Sequence, residues 1–334
     1  MPTRVTIEAL AGWLLEQDDI ALLGHVSPDG DAMGCCLALK LALQALGKRA
    51  EVCLPGGMVK MYRWLPGAGE ILDPADPLPF APKAALAVDV SDPERLGAAG
   101  RRLFEAAAHR AVLDHHSTNS GFGELFALDG AAAATGELAV RLIDALGATL
   151  TPAMAECLFV AVSTDCGQFS FSNTRAQTLC AAARCVEAGI DVASLTGRLY
   201  RTRTRGRTKL TGLVLSGLET SPDGRIAWAR LTEDMLDAAG AIREDNEGIV
   251  NYLLEIEGVE CAVLAEQRGS ATKFSLRSKE TLDVARDVAA PLGGGGHARA
   301  AGVTLESDME AALARVLGVA EAALRDQNAQ AGSK

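Results

Sequence analysis

The chain has 334 residues, 49% of them apolar, enough to fill two cores at roughly 100–200 residues per domain, so a disordered chain is excluded. Its 32 Lys and Arg against 43 Asp and Glu leave a net charge of −11, which excludes a protein that coats long duplex nucleic acid through a general positive field. No uncharged apolar run approaches the roughly 20 residues of a bilayer span, the opening residues carry Arg4, Glu8 and Glu16 in place of a signal core, and eight cysteines without a C-x-x-C pair read as reduced core filling; a cytoplasmic protein is expected.

From Ile20 to about Leu128, short apolar runs (residues 20–24, 50–54, 84–90 and 111–113) alternate with helical periodicity, first over residues 31–46. That rhythm predicts a doubly wound, mainly parallel α/β sheet. Helices dominate from Ala132 to about Leu199. Arg198, Arg201, Arg203, Arg205, Arg207 and Lys209 then crowd one stretch without an acid, marking residues 198–211 as a linker between a larger domain (1–197) and a smaller α/β domain (212–330), with a cleft between them. In the latter, Ser221-Pro-Asp-Gly224 predicts a hairpin turn. A helix over 248–256, strands over 259–265 and 273–276, and a helix over 308–324 follow, with a frayed end from Gln327.

Chemistry concentrates where these elements end. His25-x-x-x-Asp29-x-Asp31 lies between the first strand and the first long helix, Asp89 ends the strand before it, Asp114-His115-His116 ends another, and Asp165 closes a helix. Each has a bland explanation alone, since Pro28-Asp29-Gly30 makes a turn and Asp31 or Asp89 can cap a helix. Adjacent histidines on an extended backbone point to opposite sides, so one can bind a metal while the other faces a substrate. Together the set brings carboxylates and imidazoles to one sheet edge, where like charges repel unless cations sit between them. Mixed oxygen and nitrogen donors of this number suit two divalent ions, Mn2+ first and Mg2+ as the other candidate, and such a pair serves phosphoester hydrolysis.

These four motifs, in this order, resemble those of the DHH phosphoesterases. The resemblance implies that His25, Asp29 and a bridging Asp89 hold one metal, and Asp31, Asp89, His115 and Asp165 the other. It also implies that His116 contacts the scissile phosphate and that Asp114 orients the metal-bound imidazole from behind. Downstream, Gly293-Gly-Gly-Gly296-His297-Ala-Arg-Ala-Ala-Gly302 resembles the glycine-rich loop of the DHH-associated C-terminal domain, whose backbone N–H groups can close around an anionic or planar ligand. Gly294, Gly295, Gly296 and His297 are therefore substrate-binding candidates, together with Arg277 and Ser278 of Arg277-Ser278-Lys279, which resemble the family's phosphate-gripping arginine and serine.

Within the family the pattern resembles the stand-alone oligoribonucleases, which implies short RNA and small phosphorylated nucleotides, 3′-phosphoadenosine 5′-phosphate (pAp) among them, as substrates. A homodimer is expected on size alone. Alternatives are a phosphodiesterase for linear or cyclic dinucleotides, a manganese-dependent pyrophosphatase, and, from another class, a nucleotide-binding module without catalysis. No ligand position is missing, which disfavours the last. Cys166 stands where a small polar residue is expected after Asp165, and Val90 follows Asp89 without any evident service to a metal.

Overall fold

The computed structural model describes residues 2–279 and 281–331, without the side chains of His297 and residues 328–331. It forms two compact units, Met1–Arg201 and Thr202–Lys334. No helix among the described residues is long and apolar enough to cross a membrane. All eight cysteines are free and only Cys180 is exposed.

The first unit runs β1 (Thr3–Arg4), α1 (Ile7–Glu16), β2 (Ile20–Leu23), α2 (Gly30–Ala45), β3 (Ala50–Cys53), β4 (Ala84–Val88), α3 (Gly97–Ala106), β5 (His109–Asp114), β6 (Leu125–Leu128), α4 (Thr135–Ala145), α5 (Pro152–Asp165), α6 (Ala176–Glu187) and α7 (Val192–Thr196). The six strands are all parallel, in the order β1-β6-β5-β4-β2-β3. Side chains alternate between two cores as the pleat requires: Ile20, Leu22, Leu86 and Leu113 face one, Ala21, Leu23, Ala87 and Val112 the other. Burial on both faces explains why these strands read as unbroken apolar runs. The chain winds outward from β2 to β3, then returns past β2 to β4, so the order reverses between β2 and β4 and opens a crevice at their C-terminal ends. β1 and β6 carried no clear sequence signal, being a two-residue edge and a four-residue run.

The helix α2 begins where it does because Asp29 Oδ1 accepts from the N–H groups of Asp31 and Ala32 at 3.0 and 3.1 Å. It is buried nearly all round, and α5 closes against it at Gly34, where a Cβ would stand 2.2 Å from the Cys157 carbonyl.

The second unit runs α8 (Arg205–Ser216), β7 (Glu219–Thr220), β8 (Ile226–Leu231), α9 (Glu233–Ala239), α10 (Ile249–Leu254), β9 (Cys261–Arg268), β10 (Ala271–Ser278), β11 (Gly295–His297), β12 (Ala300–Leu305) and α11 (Met309–Ala331). Its mixed sheet, β11-β12-β10-β9-β8-β7, has α8, α9 and α10 packed on one face and α11 on the other. The expected hairpin is present as β7 and β8. Two expectations need correction. Much of the basic stretch expected as linker is helical, with a π-helical turn at Gly197–Arg201 and α8 from Arg205, capped by Thr204 Oγ1. The last helix buries Ala312, Val316, Ala320 and Leu324 against the sheet and runs on to Ala331, past the residue where fraying was expected; at that residue Gln327 Nε2 donates to the Thr281 carbonyl at 2.9 Å.

Candidate metal centre

Three of the four motifs leave the sheet at neighbouring strand ends: His25 follows β2, Asp89 follows β4 and Asp114 ends β5, while Asp165 ends α5. They converge. His25 Nε2 lies 3.6 Å from Asp29 Oδ1 and 3.5 Å from Asp89 Oδ2. His115 Nε2 lies 3.7 Å from Asp89 Oδ1 and 3.2 Å from Asp165 Oδ2. Ligand atoms of His25, Asp29 and Asp89, and separately those of Asp31, His115 and Asp165, gather within 4.8 Å of one another. Asp89, on the left-handed backbone at φ 61° that Asp tolerates better than most residues, presents one oxygen to His25 and the other to His115.

Each first donor is held from behind. The Nδ1 of His25 donates to the Val26 carbonyl at 2.9 Å, and that of His115 to the Ala132 carbonyl at 3.1 Å, which leaves both Nε2 atoms for a cation. Asp31 is fully buried, its two oxygens accepting from Thr135 N–H and Gly136 N–H at 2.6 and 2.9 Å, at the positive end of α4. Thr135 Oγ1 donates to Asp89 Oδ1 at 2.9 Å. Asn173 Nδ2 bridges the Ala133 and Asp165 carbonyls. Cys166 is buried and its sulfur accepts from Phe169 N–H, so it closes the turn after Asp165 and does not face the donors.

Two expectations are corrected. Asp114, expected behind the metal-bound imidazole, instead accepts from His116 Nδ1 at 2.7 Å and from Asn119 Nδ2 at 2.7 Å; His115 is oriented by a backbone carbonyl. The two histidines are not thrown to opposite sides either. The strand ends at Asp114, the alternation ends with it, and the two rings stand 4.5 Å apart with both residues reaching Asp89.

The electrostatics are those of a cation site. Burial and the charges of Asp89 and Asp165 push the Asp31 carboxyl well above its usual range, and burial with Asp89 and Asp29 raises Asp165. At His25 burial is outweighed by Asp29 and Asp89, and at His115 by Asp165, Asp31 and Asp89, so both imidazoles rise to about 10. His115 Nε2 is buried yet makes no hydrogen bond. An orphaned ring nitrogen among like-charged acids is what a bound divalent cation would satisfy, and the oxygen and nitrogen donors present fit one.

In the second unit, Arg277 lies in β10 between Ala262 and Ala300, with Nη1 donating to the Leu276 carbonyl; burial lowers its pKa. Ser278 is buried and its hydroxyl donates to the Leu282 carbonyl at 2.5 Å, so its proton is committed to holding the chain before the glycine segment. Gly295 and Gly296 lie in β11, paired with Gly302 and Ala301. This is an edge strand and not an open loop. Glycine is required because a Cβ at Gly294 would stand 2.4 Å from the Gly302 carbonyl, and one at Gly296, where φ is 145°, 2.5 Å from the Ala300 carbonyl. Among the described residues no strand pairs with the outer edge of β11. The side chain of His297 lies outside the described residues.

Comparison with known proteins agrees with this geometry. The profile of the DHH family, N-terminal domain, matches residues 19–162, and that of the DHHA1 domain matches residues 229–326. A protein of Thermus thermophilus, the bifunctional oligoribonuclease and PAP phosphatase NrnA, is 37% identical over 94% of this chain and 91% of its own. The chain belongs to the DHH family. DHH proteins are metal-dependent phosphoesterases, and this chain is a hydrolytic enzyme of that class. An exopolyphosphatase-related protein from Bacteroides fragilis has the same fold, with a TM-score of 0.87 and 27% identity over 96% of this chain and 95% of its own. The exonuclease RecJ bound to manganese, at 18% identity and a TM-score of 0.50 over 96% of this chain and 95% of its own, shares the fold.

Sequence reasoning missed Thr135, Asn119 and Asn173. Thr135 sits in the alanine-rich run Ala131–Gly136, and the one available signal was a Thr-Gly pair opening a helix, where N–H groups are unpaired.

Proposed function

We propose that this DHH enzyme hydrolyses short oligoribonucleotides to mononucleotides and removes the 3′-phosphate of pAp, with two divalent cations, manganese by preference. The observation that carries the reading is Asp89 standing between two donor groups, His25 with Asp29 and His115 with Asp31 and Asp165. The relative of Thermus thermophilus, named for both activities, supports the substrates. The acidic net charge suits small ligands gripped locally.

His25, Asp29 and Asp89 would hold one cation, and Asp31, Asp89, His115 and Asp165 the other. The chemistry such a pair supplies is charge neutralisation at the phosphoryl oxygens and activation of water near neutral pH. His116 then has one nitrogen committed to buried Asp114, which raises its pKa by that hydrogen bond, and a free Nε2 to donate to a phosphate oxygen. Arg277 is the proposed grip on a terminal phosphate, with Gly294 and the edge strand β11 at Gly295 and Gly296, beside His297, as the surface for a base or sugar. Ser278 belongs to that set as a strut, its donor being used on Leu282.

The test is release of mononucleotides from a labelled dinucleotide with Mn2+, assayed beside pAp, pGpG and inorganic pyrophosphate. Turnover of the dinucleotide and pAp is expected; turnover of pyrophosphate alone would replace this reading with the pyrophosphatase one. We further propose a cytoplasmic homodimer, for which sedimentation of the purified chain is the measurement.

A further inference from the structure

Arg95 belongs to none of the motifs. It sits in the short turn Pro93–Leu96 downstream of Asp89, and its carbonyl accepts from Val26 N–H at 2.7 Å, which ties the turn to the loop bearing His25 and Asp29. Its guanidinium Nη2 lies 3.3 Å from His25 Nδ1. That approach cannot be a hydrogen bond. His25 Nδ1 is 2.9 Å from the Val26 carbonyl, an oxygen that only accepts, so Nδ1 carries its hydrogen toward Val26 and has no lone pair to offer Arg95. Two donors therefore face each other at the rim of the metal centre. Among the described residues no carboxylate pairs with Arg95, whereas Arg101 and Arg184 of this unit do find one, Glu105 and Asp144. The residue is exposed, so neither burial nor packing accounts for it.

A guanidinium without an acceptor, beside an imidazole whose other nitrogen faces Asp29 and Asp89, is placed for an anion that arrives with the substrate. We propose that Arg95 is a catalytic residue that donates to the non-bridging oxygens of the phosphoryl group held at the His25 side of the centre. The proposal rests on the function proposed above. Its physical basis is that charge spread over those oxygens needs donors fixed before the reaction begins, and that the planar fork of arginine matches two phosphate oxygens where a lysine would meet one. The surrounding carboxylates make such a cation more necessary, because they repel the substrate anion.

The experiment compares the wild-type chain with Arg95→Met and Arg95→Lys in three measurements. Turnover of a dinucleotide with saturating Mn2+ is expected to fall about 10²–10³-fold in kcat for Arg95→Met, with partial recovery in Arg95→Lys. Mn2+ stoichiometry and affinity, read by titration calorimetry, are expected to match the wild type, because the backbone link to Val26 survives either substitution. The affinity of the Mn2+-loaded chain for orthophosphate is expected to weaken about tenfold or more in Arg95→Met. Wild-type phosphate affinity in Arg95→Met would overturn the proposal, as would a loss of Mn2+ affinity as large as the loss of turnover, which would make Arg95 a support for His25. A wild-type chain that released no mononucleotide would defeat the oligoribonuclease reading, and the phosphate titration would still decide Arg95.

Discussion

Thr135 contributes a hydroxyl to Asp89 and a backbone N–H to Asp31, so one residue orients an acid of each donor group. Replacing it with valine keeps the shape and the N–H but removes the hydroxyl donor, and Mn2+ affinity should fall about 10–100-fold while Thr135→Ser stays near wild type, by calorimetric titration. His116→Ala should lower kcat by about 10²–10⁴-fold without a matching loss of bound metal, and the protein should melt near the wild-type temperature because that side chain fills no core. The acids and imidazoles themselves were legible, since their chemistry is written in residue type and in their position at the ends of elements. Their supports were not. The bond from Thr135 to Asp89 joins residues 46 apart in the chain, and nothing local in an alanine run announces it.

At the scale of elements, α2 and α5 are fitted to each other through Gly34. Gly34→Ala drives a Cβ toward the Cys157 carbonyl and should cost about 1–3 kcal/mol in urea unfolding. Gly12→Ala, in α1 with nothing within 4 Å of its Cβ, should be neutral or stabilising by up to about 1 kcal/mol. Helix α2 also carries buried Lys40, whose ammonium binds Glu51 at 2.7 Å and Glu70 at 2.8 Å. Burial alone would lower its pKa, but the two carboxylates outweigh burial and raise it above 10.5. A raised folded-state pKa stabilises fully below the unfolded value and is lost as pH climbs through the folded one. Wild-type stability should therefore drop more steeply above about pH 10.5 than that of Lys40→Met, in chemical denaturation followed across that range. Unbroken apolar runs located β2, β4 and β5, yet strand alternation misdirected the reading of His115 and His116, because it holds only while the backbone stays extended.

For the whole molecule, the strand order concentrates charge in one crevice, and cations there should stabilise the fold as well as enable turnover. Removal of metal with a chelator should abolish hydrolysis and lower the melting temperature, since a ligand at a hundred times its Kd contributes about 2.7 kcal/mol. Readdition of Mn2+ should restore both. Element types, a doubly wound first unit and the identity of the site acids could be read from the linear chain, because periodicity, caps and strand-end chemistry are local properties. The reversal of strand order between β2 and β4, the turning of Asp114 toward His116, the commitment of Ser278 to Leu282 and the empty-handed donors of Arg95 could not. Each depends on groups far apart in sequence meeting at hydrogen-bond distance, and that proximity exists only once the sheet has closed its pairings.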